Sequence, residues 1–146
     1  MNKIIINTDG GARNNPGPAA VGVVIANEKK EIIKKYNQAI GTATNNEAEY
    51  QAIIFALQKA KLLFGKEKAK QMDIEFNIDS ELIVKQISHQ YKIKEDRIKD
   101  LFIQVWNLMT DFNSVSFKHI PREQNKEADR LVNEALDAQK GEASLF

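Results

Sequence analysis

The sequence contains no cysteine, only three prolines and seven glycines, and a formal net charge of just +1. The lack of cysteine excludes disulfide bonds, thiolate zinc sites and a cysteine nucleophile. So few prolines and glycines in 146 residues exclude a fibrous or largely disordered chain. No apolar run approaches the roughly 20 residues that span a bilayer, and the start turns polar too soon for a secretory signal. We therefore expect a cytoplasmic protein without membrane contact.

The basic and acidic residues nearly balance, at 21 against 20. Any polyanion would therefore have to be bound by a local patch of charge. The chain is long enough to bury one core, and no internal repeat or linker interrupts it. We predict a monomer with a single domain over residues 1–140 and a flexible tail over 141–146.

Patterns of apolar residues predict an α/β protein. Three strands come first, followed by alternating helices and strands. The predicted strands are Lys3–Thr8, Ala20–Ala26, Glu31–Ile40, Asp73–Ile78 and Val115–His119, with a turn-rich loop over 10–18. The predicted helices run from a capping box at Thr44 to about Phe64, from Ser80 through Ile87, over about Glu95–Met109, and over Asn125–Gln139. This order predicts a five-stranded mixed sheet with the first three strands antiparallel and helices packed on its faces.

Four acidic residues interrupt these patterns. Asp9 ends the most apolar strand and Asp79 ends the strand 73–78. Glu49 and Asp129 fall in apolar helical stripes, so we expect all four acids to point towards the sheet. Each alone has a structural explanation, as a strand end, a helix N-terminal charge or the edge of a stripe. Together they are hard to explain without a cation, because clustered like charges repel one another.

Oxygen ligands without histidine or cysteine favour Mg²⁺ or Mn²⁺. Two such ions about 4 Å apart are a standard device for phosphodiester hydrolysis. The glycine-rich loop lacks Gly-Lys-Ser/Thr and leads into a strand, which excludes an NTPase phosphate loop and a dinucleotide fingerprint. A Gly-x-Ser-x-Gly nucleophile elbow is also absent from the sequence.

The sequence resembles ribonuclease H of type 1 over about residues 1–139. The motifs are Thr8-Asp9-Gly10-Gly11 with Asn15-Pro16-Gly17, the run from Thr44 to Glu49, Ile78-Asp79-Ser80, and Asn125 with Ala128-Asp129, all in family order. The resemblance implies a five-stranded mixed sheet like the one predicted above. It also implies an endonuclease that cuts the RNA strand of RNA/DNA hybrids with little sequence preference and leaves 3′-hydroxyl and 5′-phosphate ends.

The resemblance further implies two bound Mg²⁺ ions, which Mn²⁺ would replace. Asp9 would bridge both ions, Asp129 would complete the water-side ion, and Glu49 with Asp79 would hold the other. Glu47 is explained structurally by the capping box. Residues implied to bind the hybrid are Gly10, Gly11, Asn15, Thr44, Asn45 and Asn46, and further candidates are Asn125, Lys85, Lys92 and Lys94.

His119 stands at the family's spacing before Asp129, where a histidine assists proton transfer or product release. The alternative is that His119 only continues the strand face of Val115 and Phe117. Arg122 is the substitute candidate, because the segment after His119 differs from the flexible glycine-histidine loop of many members. The chain has no room for the basic protrusion of some members, so we expect a weaker and strongly salt-dependent grip on the hybrid.

Two other functions compete with hydrolysis of hybrids. A non-catalytic hybrid-binding module is disfavoured because it would not need four clustered acids. A related acidic exonuclease usually begins with Asp-x-Glu, whereas glycines follow Asp9 here. The ending Ser144-Leu145-Phe146 faintly resembles sliding-clamp ligands but lacks their glutamine, so a packing tail or disorder is favoured over a clamp contact.

Overall fold

The computed structural model of the chain describes residues 2–144. The strands are β1 (Lys3–Ala12), β2 (Gly17–Asn27), β3 (Ile32–Ala43), β4 (Asp73–Ile78) and β5 (Ser114–His119). The helices are α1 (Asn45–Phe64), α2 (Lys66–Ala69), α3 (Glu81–Ile87), α4 (Asp96–Met109) and α5 (Lys126–Ser144), with a 3₁₀ turn at Arg122–Gln124 before α5. No helix within residues 2–144 has the length and apolar character needed to cross a membrane.

The five strands form one mixed sheet in the order β3-β2-β1-β4-β5. The pairs β1–β2 and β2–β3 are antiparallel, whereas β1–β4 and β4–β5 are parallel. The predicted fold class and strand directions are therefore confirmed. Because β1 and β4 are parallel neighbours, the residues that follow Thr8 and Ile78 lie at the same edge of the sheet.

Helices cover both faces of the sheet. On one face, Ile6, Val23 and Phe76 pack in the main core with Tyr50 and Leu57 of α1, and α4 adds to the same core. On the other face, α5 packs on β2, with smaller apolar clusters between the two elements. Alternating residues of β2 thus face α1 and α5 in turn.

The predicted boundaries of the first three strands and of the last helix are wrong, and β3 continues past Ile40 to Ala43. The predicted loop over 10–18 is shorter, because β1 continues through Ala12 and β2 begins at Gly17. Gly10 to Ala12 pair with Ala19 to Val21, so ladder hydrogen bonds outweigh the local turn signal of the glycines. The last helix continues past Gln139 to Ser144, so residues 141–144, predicted as part of the tail, extend it. A single glycine costs a helix only about 1 kcal/mol. Leu145 and Phe146 lie outside the described residues.

Candidate active site

Three carboxylates from β1, α1 and the residue after β4 meet at one end of the parallel β1–β4 pair. Carboxylate oxygens of Asp9, Glu49 and Asp79 all lie within 4.8 Å of one another. Asp9 belongs to β1, Asp79 directly follows β4, and Glu49 lies in the N-terminal part of α1. The side chains of Asp9 and Glu49 are buried, whereas Asp79 is half-buried. The parallel β1–β4 pair and the approach of α1 therefore bring together acids that are far apart in sequence.

Asp129 belongs to the same site but differs in its burial. It lines a cavity of about 410 Å³ together with the other three acids. It lies near the start of α5 and is exposed, and its charge contributes to raising the pKa of Asp9 in the sheet. The first turn of α5 lies at the rim of the cavity, which leaves this carboxylate in contact with solvent.

Burial and mutual repulsion make the ionised forms of Asp9 and Glu49 unfavourable. Burial, followed by the charges of Asp79 and Asp129, raises the pKa of Asp9 from 3.8 to about 7. Burial and the neighbouring Asp9 raise the pKa of Glu49 well above its ordinary value. The backbone N–H of Gly10 donates to both carboxylates, to Oδ1 of Asp9 at 3.0 Å and to Oε1 of Glu49 at 3.3 Å. One amide offsets little of this cost.

A divalent cation fits this donor set. Oε2 of Glu49 is buried and has no hydrogen-bond partner among the residues that the structure describes. A buried charged oxygen without a partner is costly and calls for a ligand. The clustered donors are all carboxylate oxygens, which are the ligands of hard cations such as Mg²⁺ and Mn²⁺.

Two glycines allow the helices to come close enough to supply their acids. A Cβ at Gly10 would lie 2.1 Å from the carbonyl oxygen of the residue before Glu49. A Cβ at Gly22, which pairs with Asp9, would lie 2.4 Å from the carbonyl oxygen of the residue before Asp129. Any other residue at either position would push the helix backbone away. The absence of a Cβ at Gly10 and Gly22 therefore determines how closely Glu49 and Asp129 approach the sheet.

Asn125 connects the start of α5 to the acids. The residue as a whole is only 1% exposed. Its Nδ2 donates to the carbonyl oxygen of Thr8 at 2.9 Å and to Oδ2 of Asp79 at 3.2 Å. The backbone carbonyl oxygen of Asn125 accepts from the backbone N–H of Asp129 at 3.1 Å. Asn125, predicted above only as a further candidate, therefore contacts three parts of the site.

Comparisons with known proteins identify this arrangement. A family profile described as reverse transcriptase-like matches residues 7–135. The solved structure of LC11-RNase H1 in complex with an RNA/DNA hybrid superimposes with a TM-score of 0.89 at 46% identity, covering 93% of this chain and 98% of that one. The chain belongs to the ribonuclease H family.

Curated relatives in this family are longer than the chain. A ribonuclease HI of Halobacterium salinarum is 41% identical over 129 residues, which cover 88% of this chain and 62% of that protein. A bifunctional protein of Mycobacterium tuberculosis is 39% identical over 137 residues, which cover 93% of this chain and 36% of that protein. The chain thus spans about one to two thirds of the length of these relatives.

Four of the six residues that the family resemblance assigns to hybrid binding lie beside the acids, whereas Asn15 and Thr44 do not line the cavity. Gly10, Gly11, Asn45 and Asn46 line the cavity. Asn15 is exposed, and its Oδ1 accepts from the backbone N–H of Asn45 at 2.9 Å. In turn, Oδ1 of Asn45 accepts from the backbone N–H of the residue after Gly11 at 2.8 Å. These bonds fix the loop after β1 against the start of α1.

The capping box at the start of α1 is present as predicted. Oγ1 of Thr44 accepts from the backbone N–H of Glu47 at 3.1 Å, and Oε1 of Glu47 accepts from the backbone N–H of Thr44 at 2.8 Å. Oε2 of Glu47 also accepts from Nε of Arg97 on α4 at 3.1 Å. These hydrogen bonds, first with Thr44, lower the pKa of Glu47. Glu47 therefore has a structural role, and its neighbour Glu49 faces the site.

The structure separates the two candidates for an assisting side chain. Arg122, in the 3₁₀ turn before α5, lines the cavity with the acids. His119 is not among the lining residues described for this cavity. It ends β5 opposite Ile78, is exposed, and contributes to lowering the pKa of Glu81 after the larger effect of Lys85.

The candidate lysines differ in their surroundings. Nζ of Lys85 contacts Oε1 of Glu81 at 2.6 Å and donates to the hydroxyl of Tyr91 at 3.3 Å. Its charge is therefore already paired. Lys92 and Lys94 are exposed in the connection between α3 and α4 and do not line the cavity.

Sequence reasoning missed Arg13 and Asn133, which also line the cavity. Arg13 contacts Asp137 of α5 at 2.7 Å and donates to Oδ1 of Asn133 at 3.4 Å. Helical spacing placed Asn133 four residues after Asp129, on the same side of α5, and that spacing was the signal available for finding it.

Proposed function

We propose that this protein is an endoribonuclease that hydrolyses the RNA strand of RNA/DNA hybrids with divalent cations. The observation that carries the proposal is the meeting of Asp9, Glu49 and Asp79 within 4.8 Å, in a cavity that Asp129 also lines. A solved relative at 46% identity was crystallised with an RNA/DNA hybrid. A binding module would gain nothing from buried carboxylates whose pKa values are raised by burial and by one another.

The proposed cofactor is a pair of Mg²⁺ ions, with Mn²⁺ able to replace them. Asp9 is the proposed common ligand, with Asp129 towards one ion and Glu49 with Asp79 towards the other. When bound, such ions activate a water molecule and stabilise the charge that develops on the leaving oxygen. The unpartnered Oε2 of Glu49 supports this assignment, because a cation would complete its coordination.

The chain's own residues orient the substrate. Asn45 and Asn46 present amide groups at the cavity, where they can contact 2′-hydroxyl groups and base edges in the minor groove of a hybrid. The minor groove carries little sequence information, so cleavage is expected to be largely sequence-independent. The 2′-hydroxyl contacts would direct hydrolysis to the RNA strand. The proposed products carry 3′-hydroxyl and 5′-phosphate ends.

One gel tests the proposal. End-labelled RNA/DNA hybrid, duplex DNA and duplex RNA are each incubated with the protein in Mg²⁺, Mn²⁺ or EDTA. The expected result is internal cleavage of the hybrid's RNA strand alone, which stops in EDTA. Comparison with alkaline and nuclease ladders identifies the product ends.

Matched variants accompany the gel. Asp9→Asn is expected to abolish cleavage, because it removes the charge shared by the site. Asp100→Asn changes an exposed acid on α4 that does not line the cavity, and it should cut like the wild type. A wild type that shifts the hybrid without cutting it would point to a binding module. Duplex DNA shortened from its ends would point to an exonuclease, and either outcome would overturn the proposal.

A further inference from the structure

Three asparagine side chains form a directional chain of hydrogen bonds that ends at an acid of the site. Nδ2 of Asn77 donates to Oδ1 of Asn7 at 3.2 Å, and Nδ2 of Asn7 donates to Oδ1 of Asn125 at 3.1 Å. Nδ2 of Asn125 then donates to the carbonyl oxygen of Thr8 and to Oδ2 of Asp79 at 3.2 Å. Every donor in this chain points in the same direction.

The first two members occupy matching positions of neighbouring strands. Asn7 pairs with Asn77 in the parallel β1–β4 ladder, and each lies two residues before an acid of the site. Both are half-buried, on the sheet face opposite to the one covered by α1. Apolar side chains would suit such positions, since desolvated amides add little net stability. The presence of asparagine at positions 7 and 77 is therefore better explained by the orientation of neighbouring groups than by a gain in stability.

An asparagine side chain can be rotated by half a turn, which exchanges its donor and its acceptor. If Asn125 were rotated, its Oδ1 would face the carboxylate of Asp79 and repel it. The hydrogen bond that Nδ2 of Asn7 donates to Oδ1 of Asn125 prevents this rotation. The hydrogen bond that Nδ2 of Asn77 donates to Oδ1 of Asn7 fixes the orientation of the Asn7 amide in the same way.

We propose that Asn7 and Asn77 are positioning residues that act through Asn125 to hold the Asp79 carboxylate in the orientation required for cation binding. This inference rests on the proposed function, because it concerns a ligand of the proposed cation site. It assigns a role to two strand residues that lie outside the cavity formed by the acids.

The test measures binding of Mn²⁺ to the hybrid-free protein by titration calorimetry or electron paramagnetic resonance. Residues that orient a metal ligand typically change affinity by tenfold or more when they are removed. Asn7→Ala is therefore expected to weaken Mn²⁺ binding about tenfold, and Asn77→Ala is expected to weaken it less. The double variant should equal Asn7→Ala alone, because Asn77 acts only through Asn7.

Asn37→Ala is the matched control. Nδ2 of Asn37 donates to the backbone carbonyl of Leu131 at 3.0 Å, so it also links the sheet to α5, but it does not line the cavity of the acids. Its loss should lower the melting temperature without changing Mn²⁺ affinity. Asn7→Ser is measured beside Asn7→Ala, so that a folded variant is available if the alanine variant does not fold.

The outcomes separate the positioning role from the proposed function. Wild-type Mn²⁺ binding that persists unchanged in the Asn7 variants would overturn the positioning role. Additive effects of the Asn7 and Asn77 substitutions on Mn²⁺ affinity would also overturn it, because they would show that Asn77 does not act through Asn7. A wild type that binds no Mn²⁺ would overturn the proposed function itself, and the positioning role with it.

Discussion

Gly22 lies directly opposite Asp9 in the antiparallel β1–β2 pair, on the sheet face that α5 crosses. A Cβ at Gly22 would lie 2.4 Å from the carbonyl oxygen of Ala128 and 3.0 Å from Cβ of Leu131. The first of these distances is impossible without moving the backbone of α5. Asp129 follows Ala128 directly, so the missing side chain at Gly22 controls how closely Asp129 approaches Asp9.

Gly22→Ala is therefore expected to impair the site more than the fold. Displacement of α5 would move Asp129 away from Asp9, so we expect weaker Mn²⁺ binding. Cleavage should slow by up to about 100-fold, since a 1 Å misplacement of a catalytic group can cost that much. The measurements are Mn²⁺ titration, the rate of hybrid cleavage and the melting temperature.

Val24→Ala provides the control for this variant. Val24 packs against Ala128 and Leu131 of α5, so its truncation opens a cavity beneath the same helix without pushing it outward. We expect a loss of about 2 kcal/mol in the free energy of unfolding and near-normal Mn²⁺ affinity. Equal loss of affinity in both variants would show that α5 is merely loosened and not displaced.

The elements around the site were predictable because local signals agree with the tertiary structure. Asp73–Ile78 alternates in polarity and forms a strand with those bounds. Thr44 and Glu47 form the predicted capping box. Asp9 and Asp79 were recognisable as acids that directly follow apolar runs, and the parallel β1–β4 pair, which ends at Thr8 and Ile78, brings them together.

The contacts that tune the site were not predictable, because they depend on distances between elements remote in sequence. Gly22 is an ordinary glycine within an apolar strand until α5 is placed against it. Asn7 and Asn77 look like polar residues facing solvent until Asn125, more than 100 positions after Asn7, is placed beside them. The exposure of Asp129 depends on where α5 begins relative to the cavity rim, which its helical spacing alone does not determine.

The metal-free protein is expected to become less stable as the pH rises from about 4 to about 7. Folding raises the pKa of Asp9 from 3.8 to about 7, chiefly by burial, so the native state keeps a proton that the unfolded chain releases in this range. The native state then binds more protons, and the free energy of unfolding falls with increasing pH. Thermal unfolding in EDTA across this range measures the effect.

The Asp9→Asn variant is the comparison for this experiment, because it carries no charge at position 9. It should show a shallower decline and a higher melting temperature than the wild type at pH 7 in EDTA. Asp100→Asn should follow the wild type, since it changes an exposed acid away from the cavity. A wild-type stability that rises over this pH range would contradict the raised pKa of Asp9.

Glu47 and Glu49 lie two residues apart and should respond oppositely to substitution. Glu47→Ala removes half of the capping box and the contact with Arg97, and should cost about 1 kcal/mol of stability with cleavage largely retained. Glu49→Gln removes a buried charge, so it should abolish cleavage while the protein stays at least as stable as the wild type in EDTA. Urea unfolding and the cleavage rate distinguish the two glutamates, and a Glu47 variant as inactive as the Glu49 variant would refute the assignment.

Arg122 is expected to matter more than His119 for cleavage. Arg122 lines the cavity with the acids, and its guanidinium carries hydrogen-bond donors that suit a phosphate of the substrate. Arg122→Ala should therefore lower the cleavage rate by about tenfold or more, in line with the loss of one charge-assisted hydrogen bond, and Arg122→Lys should restore part of it by retaining the charge. His119→Ala is the matched comparison and should change the rate little, because His119 does not line the cavity of the acids. Single-turnover rates across pH 6 to 9 provide the measurement, and a larger loss in the His119 variant, with a changed pH profile, would assign the assisting role to the histidine.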